Sequence, residues 1–491
     1  MITLTLSLFA LILGYIFYGR LVERMFGPDD RVTPAVSKAD GLDYIVLPGW
    51  KIFMVQFLNI AGTGPIFGAI MGAKFGPAAY VWIVLGCIFA GATHDYLSGM
   101  LSIRHDGAGL PEMMGHYLGK TTKNVMLVLT LVLLIMVGAV FVYTPAEILH
   151  SIGGHTIMWM VIIFVYYFIA TMLPIDKIIG KVYPLFAFSL LFITVGLMVW
   201  LFLHWPTLPE LWTNFYNMGA ATEPGKWTDS IFPALFITIA CGAISGFHAT
   251  QSPLMARCMK SERMGRPLFY GAMITEGAVA LIWATVSAWF FYGEPTPGYE
   301  LIGAANDGFH TSAPVVVSLV CNDWLGVLGA ILAMLGVVAA PITSGDTALR
   351  SARLIVAEWL KVDQRPVSKR LMICVPLFAC SIVLLIWQMG NPDGFNTIWQ
   401  YFGWLNQALS VFTLWMITVY LVRQKKNYWL MLIPALFMTV VCTTYIFVSR
   451  QMLNLPETVG YLLGAACLAT ACAWFTIWYR REKSKSSSPY K

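Results

Sequence analysis

The sequence has few charged residues. Asp, Glu, Lys and Arg make up 11% of its 491 residues, whereas hydrophobic residues make up 58% and the mean hydropathy is +0.71. Soluble domains carry roughly 25% charged residues, so a water-soluble fold of this composition would lack the polar surface needed to cover itself. The excess apolar surface must face lipid, and no polar stretch is long enough to form a separate soluble domain.

Motifs of catalysis, metal binding and disulfide frameworks are also missing. The nine cysteines form no CxxC pair and most lie in apolar segments, which is typical of small buried side chains. The patterns HExxH, GxSxG, Walker A and the dinucleotide-binding glycine motif do not occur. These absences argue against a membrane enzyme and an ATP-driven pump, and we expect no cofactor and no bound metal.

Long apolar segments are what the sequence has instead. A helix that crosses a bilayer needs about 20 mostly apolar residues. About thirteen such segments are present, so we predict an all-α polytopic membrane protein. The segments are residues 2–19, 51–72, 77–103, 121–145, 156–174, 178–203, 230–256, 267–293, 324–347, 369–390, 397–422, 427–448 and 457–479.

The distribution of basic residues predicts the orientation of these helices, because cytoplasmic loops are enriched in Lys and Arg. With the N-terminus outside, the inside segments are 20–51, 104–123, 177–181, 257–266, 350–370, 423–426 and the C-terminal tail. They contain all but three of the 31 Lys and Arg residues; the exceptions are Lys74, Lys226 and Arg450. We therefore predict a multi-pass protein of the bacterial inner membrane with an outer N-terminus and a cytoplasmic C-terminus.

Two of the predicted helices are interrupted by glycine. One contains Asn59-Ile60-Ala61-Gly62-Thr63-Gly64-Pro65, and the other contains Ile239-Ala240-Cys241-Gly242-Ala243-Ile244-Ser245-Gly246. Pro65 cannot donate a helical hydrogen bond, and broken backbone at membrane depth is tolerated where it lines a cavity or is buried in protein. Glycines that only let helices pack closely are the alternative. Matching breaks favour a transporter site, with Gly62, Thr63, Gly64, Pro65, Cys241, Gly242, Ser245 and Gly246 as candidate substrate-binding residues.

The order of the helices predicts an internal repeat. Five helices begin with residue 51 and five with residue 230, and the two sets enter the membrane from opposite sides. A 5+5 inverted repeat whose first helix is broken in each half is the LeuT-type arrangement. We predict an N-terminal helix and cytoplasmic loop (1–50), the first repeat (51–203), an extracytoplasmic loop (204–229), the second repeat (230–422), and two C-terminal helices with a cytoplasmic tail (423–491).

Ionisable residues inside the predicted spans are candidates for proton coupling. A charge at the bilayer centre costs at least ~2.5–3.5 kcal/mol, so it suggests a function by default. Carboxyl and imidazole groups in such places can exchange protons near neutral pH. The structural alternatives are a core role for the histidine and ion pairs with Arg350 or Arg353 for the two aspartates. The candidates are Asp95, with His94 beside it, His248, Glu276 and Asp346.

Neutral polar residues add two further sets of candidates. Thr343, Ser344 and Thr347 lie in the ninth predicted helix, where LeuT-type folds bring hydroxyl groups against carbonyls of the broken first helix at a sodium site. These three are ion-binding candidates, although Ser and Thr also join helices without an ion. The amides that could hydrogen-bond a substrate are Gln56, Asn59, Asn406 and Gln407.

Several of these segments resemble the carbon starvation protein A (CstA) family over about residues 30–410. The resemblance implies a secondary transporter related to the amino-acid/polyamine/organocation superfamily and linked to peptide uptake under nutrient limitation. Some relatives are similar to proton-coupled pyruvate carriers. The matching positions are Arg31-x-Thr33-Pro34-Ala35-Val36, Asp40-Gly41-Leu42-Asp43-Tyr44, Ile60-Ala61-Gly62-x-Gly64-Pro65, the run from Phe236 to Ala249, Glu276, Asp346 and Asn406-Gln407.

The sequence thus predicts a secondary active transporter, not an enzyme, that imports peptides or a small carboxylate such as pyruvate. Its expected partners are that solute, the lipid bilayer and a coupling ion, either a proton or sodium, and no nucleic acid. Two alternatives remain open. A channel would use the broken helices as a filter, and a membrane-bound nutrient sensor or enzyme would use His94, Asp95 and His248 as a metal site.

Overall fold

Apolar helices make up most of the structure. The computed structural model describes residues 1–173, 179–222, 230–293, 313–391 and 394–487, which form helices, turns and loops. Lys177, Lys226 and parts of the predicted loops 204–229 and 294–323 lie outside the described residues. The helices are α1 (Ile2–Phe26), α2 (Pro34–Ser37), α3 (Gly49–Ile60), α4 (Gly64–Met71), α5 (Ala78–Arg104), α6 (Leu110–Leu118), α7 (Lys120–Ile152), α8 (Thr156–Met172), α9 (Ile179–His204), α10 (Met218–Thr222), α11 (Ile231–Thr238), α12 (Gly246–Ala256), α13 (Glu262–Tyr292), α14 (Ala313–Leu360), α15 (Val367–Met389), α16 (Gly394–Arg423), α17 (Trp429–Val448) and α18 (Glu457–Ser487).

Ten spans within the described residues are long and apolar enough to cross a membrane. They are α1, α3 with α4, α5, α7, α9, α13, α15, α16, α17 and α18. The three other predicted spans take different forms. The segment 156–174 is the 17-residue helix α8, 230–256 is divided into α11 and α12, and 324–347 is part of α14. The predicted all-α polytopic class is confirmed.

Helix α14 is longer than the sequence predicts at both ends. It begins at Ala313 and changes direction at Gly326, whose φ of 63° lies in the left-handed region that glycine tolerates. It also continues to Leu360, so half of the predicted loop 350–370 is helical. The helix continues because Arg350 and Arg353 are fully buried against neighbouring segments. In a loop these two basic side chains would be expected to lie in water.

The segments predicted to lie inside gather on one side of the molecule, which we call the basic face. Ion pairs and hydrogen bonds join loops that are far apart in the sequence. The contacts are Arg104 with Glu262 and the Gly27 carbonyl, Arg257 with Glu358, and Arg423 with Glu482. The described residues of the segments predicted to lie outside contact one another on the other side, which we call the opposite face. The contacts there are the Met1 ammonium with Glu210, Ser230 with Glu457, and Tyr401 with the Gln451 carbonyl.

Large apolar side chains are exposed on the outer helices. Phe188 of α9, Val383 of α15 and Leu462 of α18 are 63%, 66% and 68% exposed, which suits contact with lipid. The helices α3, α4 and α12 are enclosed by the others, and the middle residues of each are buried. These enclosed helices carry most of the candidate site.

Candidate functional site

The first predicted break interrupts the helix between Ile60 and Gly64. Ala61 leaves the helical conformation, with φ −82° and ψ 44°, and α4 begins at Gly64 with Pro65 in its first turn. Proline is tolerated there because the first N–H groups of a helix have no partner within the helix. The break therefore ends one half-helix and starts another inside the protein.

The second predicted break lies between Thr238 and Gly246. Ser245 is extended and precedes α12. The Asn406 side-chain oxygen accepts hydrogen bonds from the Phe247 N–H at 2.7 Å and from the Ser245 hydroxyl at 2.9 Å. The Phe247 N–H in the first turn of α12 is therefore already bonded to a side chain from α16.

Close packing explains several glycines of the two breaks. A Cβ atom at Gly64 would lie 2.3 Å from Sγ of Cys241, and one at Gly62 would lie 2.9 Å from Oγ of Ser344. At Gly246 it would lie 2.4 Å from the backbone of α16, and at Gly242 it would lie 2.4 Å from a side chain of α13. Contacts under 3 Å require displacement of the neighbour, so the packing role considered as an alternative is real. It also brings the two breaks into contact through Gly64 and Cys241.

Four ionisable residues meet beside the second break. Nδ1 of His248 lies 2.9 Å from Oδ2 of Asp95, and Nδ1 of His94 lies 2.8 Å from Oδ1 of the same carboxylate. Nε2 of His248 faces Oε2 of Glu276 at 3.5 Å. All four side chains are fully buried. The structure thus joins Asp95 of α5 and Glu276 of α13 through one imidazole ring.

Asp346, the other predicted proton-coupling residue, lies in a separate cluster. Its carboxylate accepts a hydrogen bond from the Tyr183 hydroxyl at 2.5 Å. The arginines considered as its partners instead contact Asp43, with Arg350 at 3.4 Å and Arg353 at 3.0 Å. The proposed ion pair of Asp346 with these arginines is therefore replaced by a hydrogen bond to a tyrosine.

The hydroxyl groups of α14 reach the first break, as the sodium-site hypothesis requires. The Ser344 hydroxyl lies 3.2 Å from the Leu58 carbonyl and 3.0 Å from the Asn59 carbonyl. Thr347 donates to the Asn59 side-chain oxygen at 3.3 Å. Thr343 differs, because its hydroxyl bonds to carbonyls of its own helix.

Several buried polar atoms at the breaks have no hydrogen-bond partner among the described residues. They are both side-chain polar atoms of Gln56, Nδ2 of Asn59, Oγ1 of Thr63, Nε2 of His248 and both carboxylate oxygens of Glu276. Most buried polar groups in proteins are paired, and leaving one unpaired costs roughly 1–3 kcal/mol. A concentration of such atoms at two helix breaks marks a place where a polar ligand can be bound. The amide of Gln407, by contrast, already donates to the Phe236 carbonyl at 2.9 Å.

One group of side chains has the spacing of a partial metal site. Cys241, His248 and Glu276 each present a ligand atom, and these atoms lie within 4.8 Å of one another. Structural zinc sites usually take four ligands, and the nearby carboxylate of Asp95 is already bonded to two imidazoles. The metal site considered from the sequence, with His94, Asp95 and His248, instead forms a hydrogen-bonded row. The absence of a metal stays a prediction.

Two residues of these clusters were not recognised from the sequence. Asp43 was part of a family-like motif without an assigned role, and Tyr183 received none. The excess of buried positive charge in Arg350 and Arg353 is the signal that could have suggested a carboxylate partner. Nothing in the spacing of the sequence indicates which carboxylate it is, because Asp43 lies more than 300 positions away.

The ten apolar spans of the described residues and the two helix breaks are those of a polytopic helical membrane transporter. The chain belongs to the carbon starvation protein CstA family, whose sequence model matches residues 1–158, 146–320 and 299–445. The family resemblance drawn from the sequence motifs is thereby confirmed.

Several bacterial proteins have related sequences. A membrane protein of Haemophilus influenzae is 44% identical over 342 residues, covering 60% of this chain and 92% of the relative. The protein named peptide transporter CstA of Escherichia coli is 26% identical over 88% of this chain and 78% of its own length. The protein of the same name from Bacillus subtilis is 26% identical over 93% of this chain and 91% of its own length.

A solved structure shares the fold at low sequence identity. The crystal structure of a mutant of an Eremococcus coleocola manganese transporter superposes with a TM-score of 0.54 and 13% identity. The match covers 90% of this chain and 99% of that chain. At this identity the likeness concerns the fold alone.

Proposed function

We propose that this protein is a proton-coupled secondary transporter that imports a small carboxylate-bearing solute, either a peptide or an acid such as pyruvate. The unpaired buried atoms of Gln56, Asn59 and Thr63 at the first break are the observation that supports this best. A solute there would supply the missing hydrogen bonds. Its carboxylate would meet the N-terminus of α4, whose first N–H groups and positive dipole end favour an anion.

The proton would move between Glu276 and His248. Because the Asp95 carboxylate accepts the hydrogen bond at Nδ1 of His248, that nitrogen carries hydrogen and Nε2 is left as an acceptor. A protonated Glu276 can then transfer its proton to Nε2 across the 3.5 Å separation once the two helices approach slightly. The imidazolium formed would be stabilised by Asp95. Glu276 would therefore be the exchanging acid and Asp95 the permanent counter-charge.

Access to the site would alternate between the two faces. On the basic face, the segment before α3 closes over the molecule: Asp43 contacts Arg350 and Arg353, and the Leu47 N–H donates to the Cys258 carbonyl at 3.1 Å. On the opposite face, a cavity of about 470 Å³ reaches Thr238 at the second break. The positive-inside rule makes the basic face cytoplasmic, which gives an outward-facing arrangement.

The inverted repeat would provide the motion. In this proposal residues 51–203 and 230–422 are the two repeats, and α3–α4 and α11–α12 are their broken first helices. The two breaks approach each other closely at Gly64 and Cys241. Rocking of one set of helices against the other would open the basic face when the Asp43 contacts break. The family resemblance adds a physiological setting, uptake under nutrient limitation.

The coupling ion would be a proton rather than sodium. In a LeuT-type sodium site the hydroxyls and carbonyls would both ligate the ion, but here the Ser344 hydroxyl is within hydrogen-bond distance of the Leu58 and Asn59 carbonyls. The direct bond satisfies the same atoms without an ion. The buried row from Asp95 to Glu276 offers the alternative coupling group.

Uptake into proteoliposomes tests this function. Purified protein is reconstituted, and the uptake of radiolabelled alanyl-alanine and pyruvate is measured with and without an inward proton gradient. Saturable accumulation above the outer concentration is expected only with the gradient. Glu276→Gln should abolish accumulation while still allowing equilibration, and unchanged accumulation in this variant would remove Glu276 from the mechanism.

The same assay separates the proposal from its rivals. A channel would give non-saturable flux that never exceeds equilibrium. A metal-dependent sensor or enzyme would show metal in stoichiometric amount when the purified protein is analysed for bound metals. Either result, in the absence of gradient-driven uptake, would contradict the transporter proposal.

A further inference from the structure

The cavity on the opposite face has the size and lining of a ligand site. Its volume is about 470 Å³, within the range of roughly 300–1,000 Å³ typical of small-molecule pockets. Its walls come from the end of α4, from α11, from the start of α16, and from the end of α17 with the loop that follows it. Aromatic side chains, including Trp399 and Phe232, lie beside polar ones along these walls.

Charges of both signs line this cavity. Lys74 and Arg450 are two of the three basic residues outside the predicted cytoplasmic segments, and both contribute to the wall. A face that otherwise has few basic residues thus places two in one cavity. Glu457 lines the same cavity and accepts a hydrogen bond from the Ser230 hydroxyl at 2.5 Å.

The cavity ends directly outside the buried site. Thr238, at its inner end, is the last residue of α11 before the second break. Gly403, also at the inner end, lies one helical turn before Asn406, whose side chain holds the start of α12. A ligand in the cavity would therefore lie next to the backbone that has to move when the inner site opens.

We infer that this cavity is an outer binding site for a small zwitterion, which rests on the proposed transport function and specifies how the solute is first bound. Lys74 and Arg450 bind the carboxylate, since cations with multiple N–H donors suit it. Glu457 binds the ammonium group, and Trp399 and Phe232 cover the apolar part between them. A simple anion such as pyruvate has a partner only for its carboxylate, so Glu457 separates the two solute classes.

Concentration-dependent uptake with charge-removing variants tests the outer site. The full-length protein in proteoliposomes is assayed with alanyl-alanine and with pyruvate. Glu457→Gln should raise the half-saturating concentration of the dipeptide about tenfold, the usual cost of losing one charge-assisted bond, and leave that of pyruvate unchanged. Lys74→Gln and Arg450→Gln should raise the half-saturating concentration of both solutes. The maximal rate should stay the same, because the inner site is intact.

Controls keep this result separate from the proposed function. Glu147→Gln removes an exposed carboxylate near the opposite-face end of α7, away from the cavity. This variant should leave the half-saturating concentrations of both solutes unchanged. Because Lys74 is buried, the exposed residues Arg450 and Glu457 provide the test if the Lys74 variant does not fold.

Calorimetric binding of alanyl-alanine to the purified protein requires no transport. Weaker binding in Glu457→Gln and Arg450→Gln supports the outer site even if uptake fails. Absent binding, or binding equal to wild type in both variants, overturns it.

Discussion

The Asp95 carboxylate holds the His248 imidazole through a 2.9 Å contact between Oδ2 and Nδ1, and both side chains are fully buried. This contact joins α5 to α12 immediately after the second helix break. It orients the other ring nitrogen toward Glu276 of α13. A single contact therefore decides which nitrogen of the imidazole faces Glu276.

Replacing His248 should uncouple transport from the proton gradient. In His248→Gln the amide cannot take up the proton, so solute should equilibrate across the membrane without accumulating. The measurement is uptake of alanyl-alanine and pyruvate with and without the gradient. The matched control is His105→Gln, because His105 lies at the basic-face end of α5 and bonds to the Leu101 carbonyl. Gradient-driven accumulation that survives in His248→Gln would contradict the coupling role.

A methyl group at Gly64 should destabilise the contact between the two breaks. In Gly64→Ala the new Cβ atom would lie 2.3 Å from Sγ and 2.5 Å from Cβ of Cys241, and overpacking of this kind costs about 1–3 kcal/mol. We expect a lower melting temperature in detergent and reduced uptake.

The double variant Gly64→Ala with Cys241→Gly removes both clashing atoms and should recover part of the stability. Gly403→Ala is the control, because a Cβ atom there lies at an ordinary 3.5 Å from the nearest atom, the Ile237 carbonyl oxygen. If Gly64→Ala melts like the wild type, or if the double variant is less stable than the single one, close packing is not the reason for the glycine.

Removing the charge of Asp43 should loosen the basic face. Arg350 and Arg353 are fully buried, and Asp43→Asn would leave both charges without their carboxylate. Breaking a buried ion pair costs about 3–5 kcal/mol, so the melting temperature should fall clearly. A cysteine-accessibility assay of α12 from the basic face should show increased labelling, and a variant that is as stable and as closed as the wild type would contradict this role.

The stabilisation by Asp43 should depend on pH in a defined direction. Burial opposes ionisation of its carboxyl group, but the charges of Arg353, Arg350 and Arg257 outweigh this effect and hold the pKa of Asp43 below its ordinary value. Because the pKa is lower in the folded state, the ionised carboxylate stabilises the fold at pH values above the unfolded-state pKa of about 3.9. This stabilisation is lost as the pH falls through the folded-state pKa. The stability difference between wild type and Asp43→Asn should therefore be constant near neutral pH and shrink only below about pH 4. A difference that shrinks already near pH 6 would exclude Asp43 as its source.

Transport should persist without sodium. Replacing sodium by choline in the proteoliposome assay should leave the uptake rate unchanged, because the Ser344 hydroxyl lies within hydrogen-bond distance of the Leu58 and Asn59 carbonyls and bonds there without an ion. Ser344→Ala should weaken the attachment of α14 to the first break and lower the melting temperature modestly, because one neutral hydrogen bond is worth about 1 kcal/mol. Thr343→Ala is the control, since the Thr343 hydroxyl, unlike that of Ser344, bonds to carbonyls of α14 itself. Loss of uptake in choline would favour the sodium hypothesis instead.

The fold class was accessible from the sequence because hydrophobic length is a local property. Twenty apolar residues form a helix in lipid whatever their neighbours are, since each backbone group must be satisfied within the segment. The bounds of α14 were wrong at both ends, however. Its continuation to Leu360 depends on contacts of Arg350 and Arg353 with Asp43 and other groups that are distant in the sequence. No local sequence pattern contains these partners.

The candidate site was predictable in part for the same reason. The breaks were visible because glycine and proline act on their own backbone, and the ionisable residues stood out in apolar segments. Their partners were not visible. Asp95 and Glu276 meet at His248, whereas Asp346 bonds to Tyr183. Only the packing of α5, α12, α13 and α9 places these carboxylates in two separate clusters.

By itself the sequence determined that the chain is a helical membrane protein, where two of its helices break, and which face carries the positive charge. The tertiary structure decided which buried ionisable groups lie against one another, which arginines have a carboxylate partner, and where charges of both signs meet in one cavity. The physical reason is the range of each effect. Hydrophobic burial and backbone restriction act along the chain, whereas hydrogen bonds and ion pairs require contact between residues that only folding brings together.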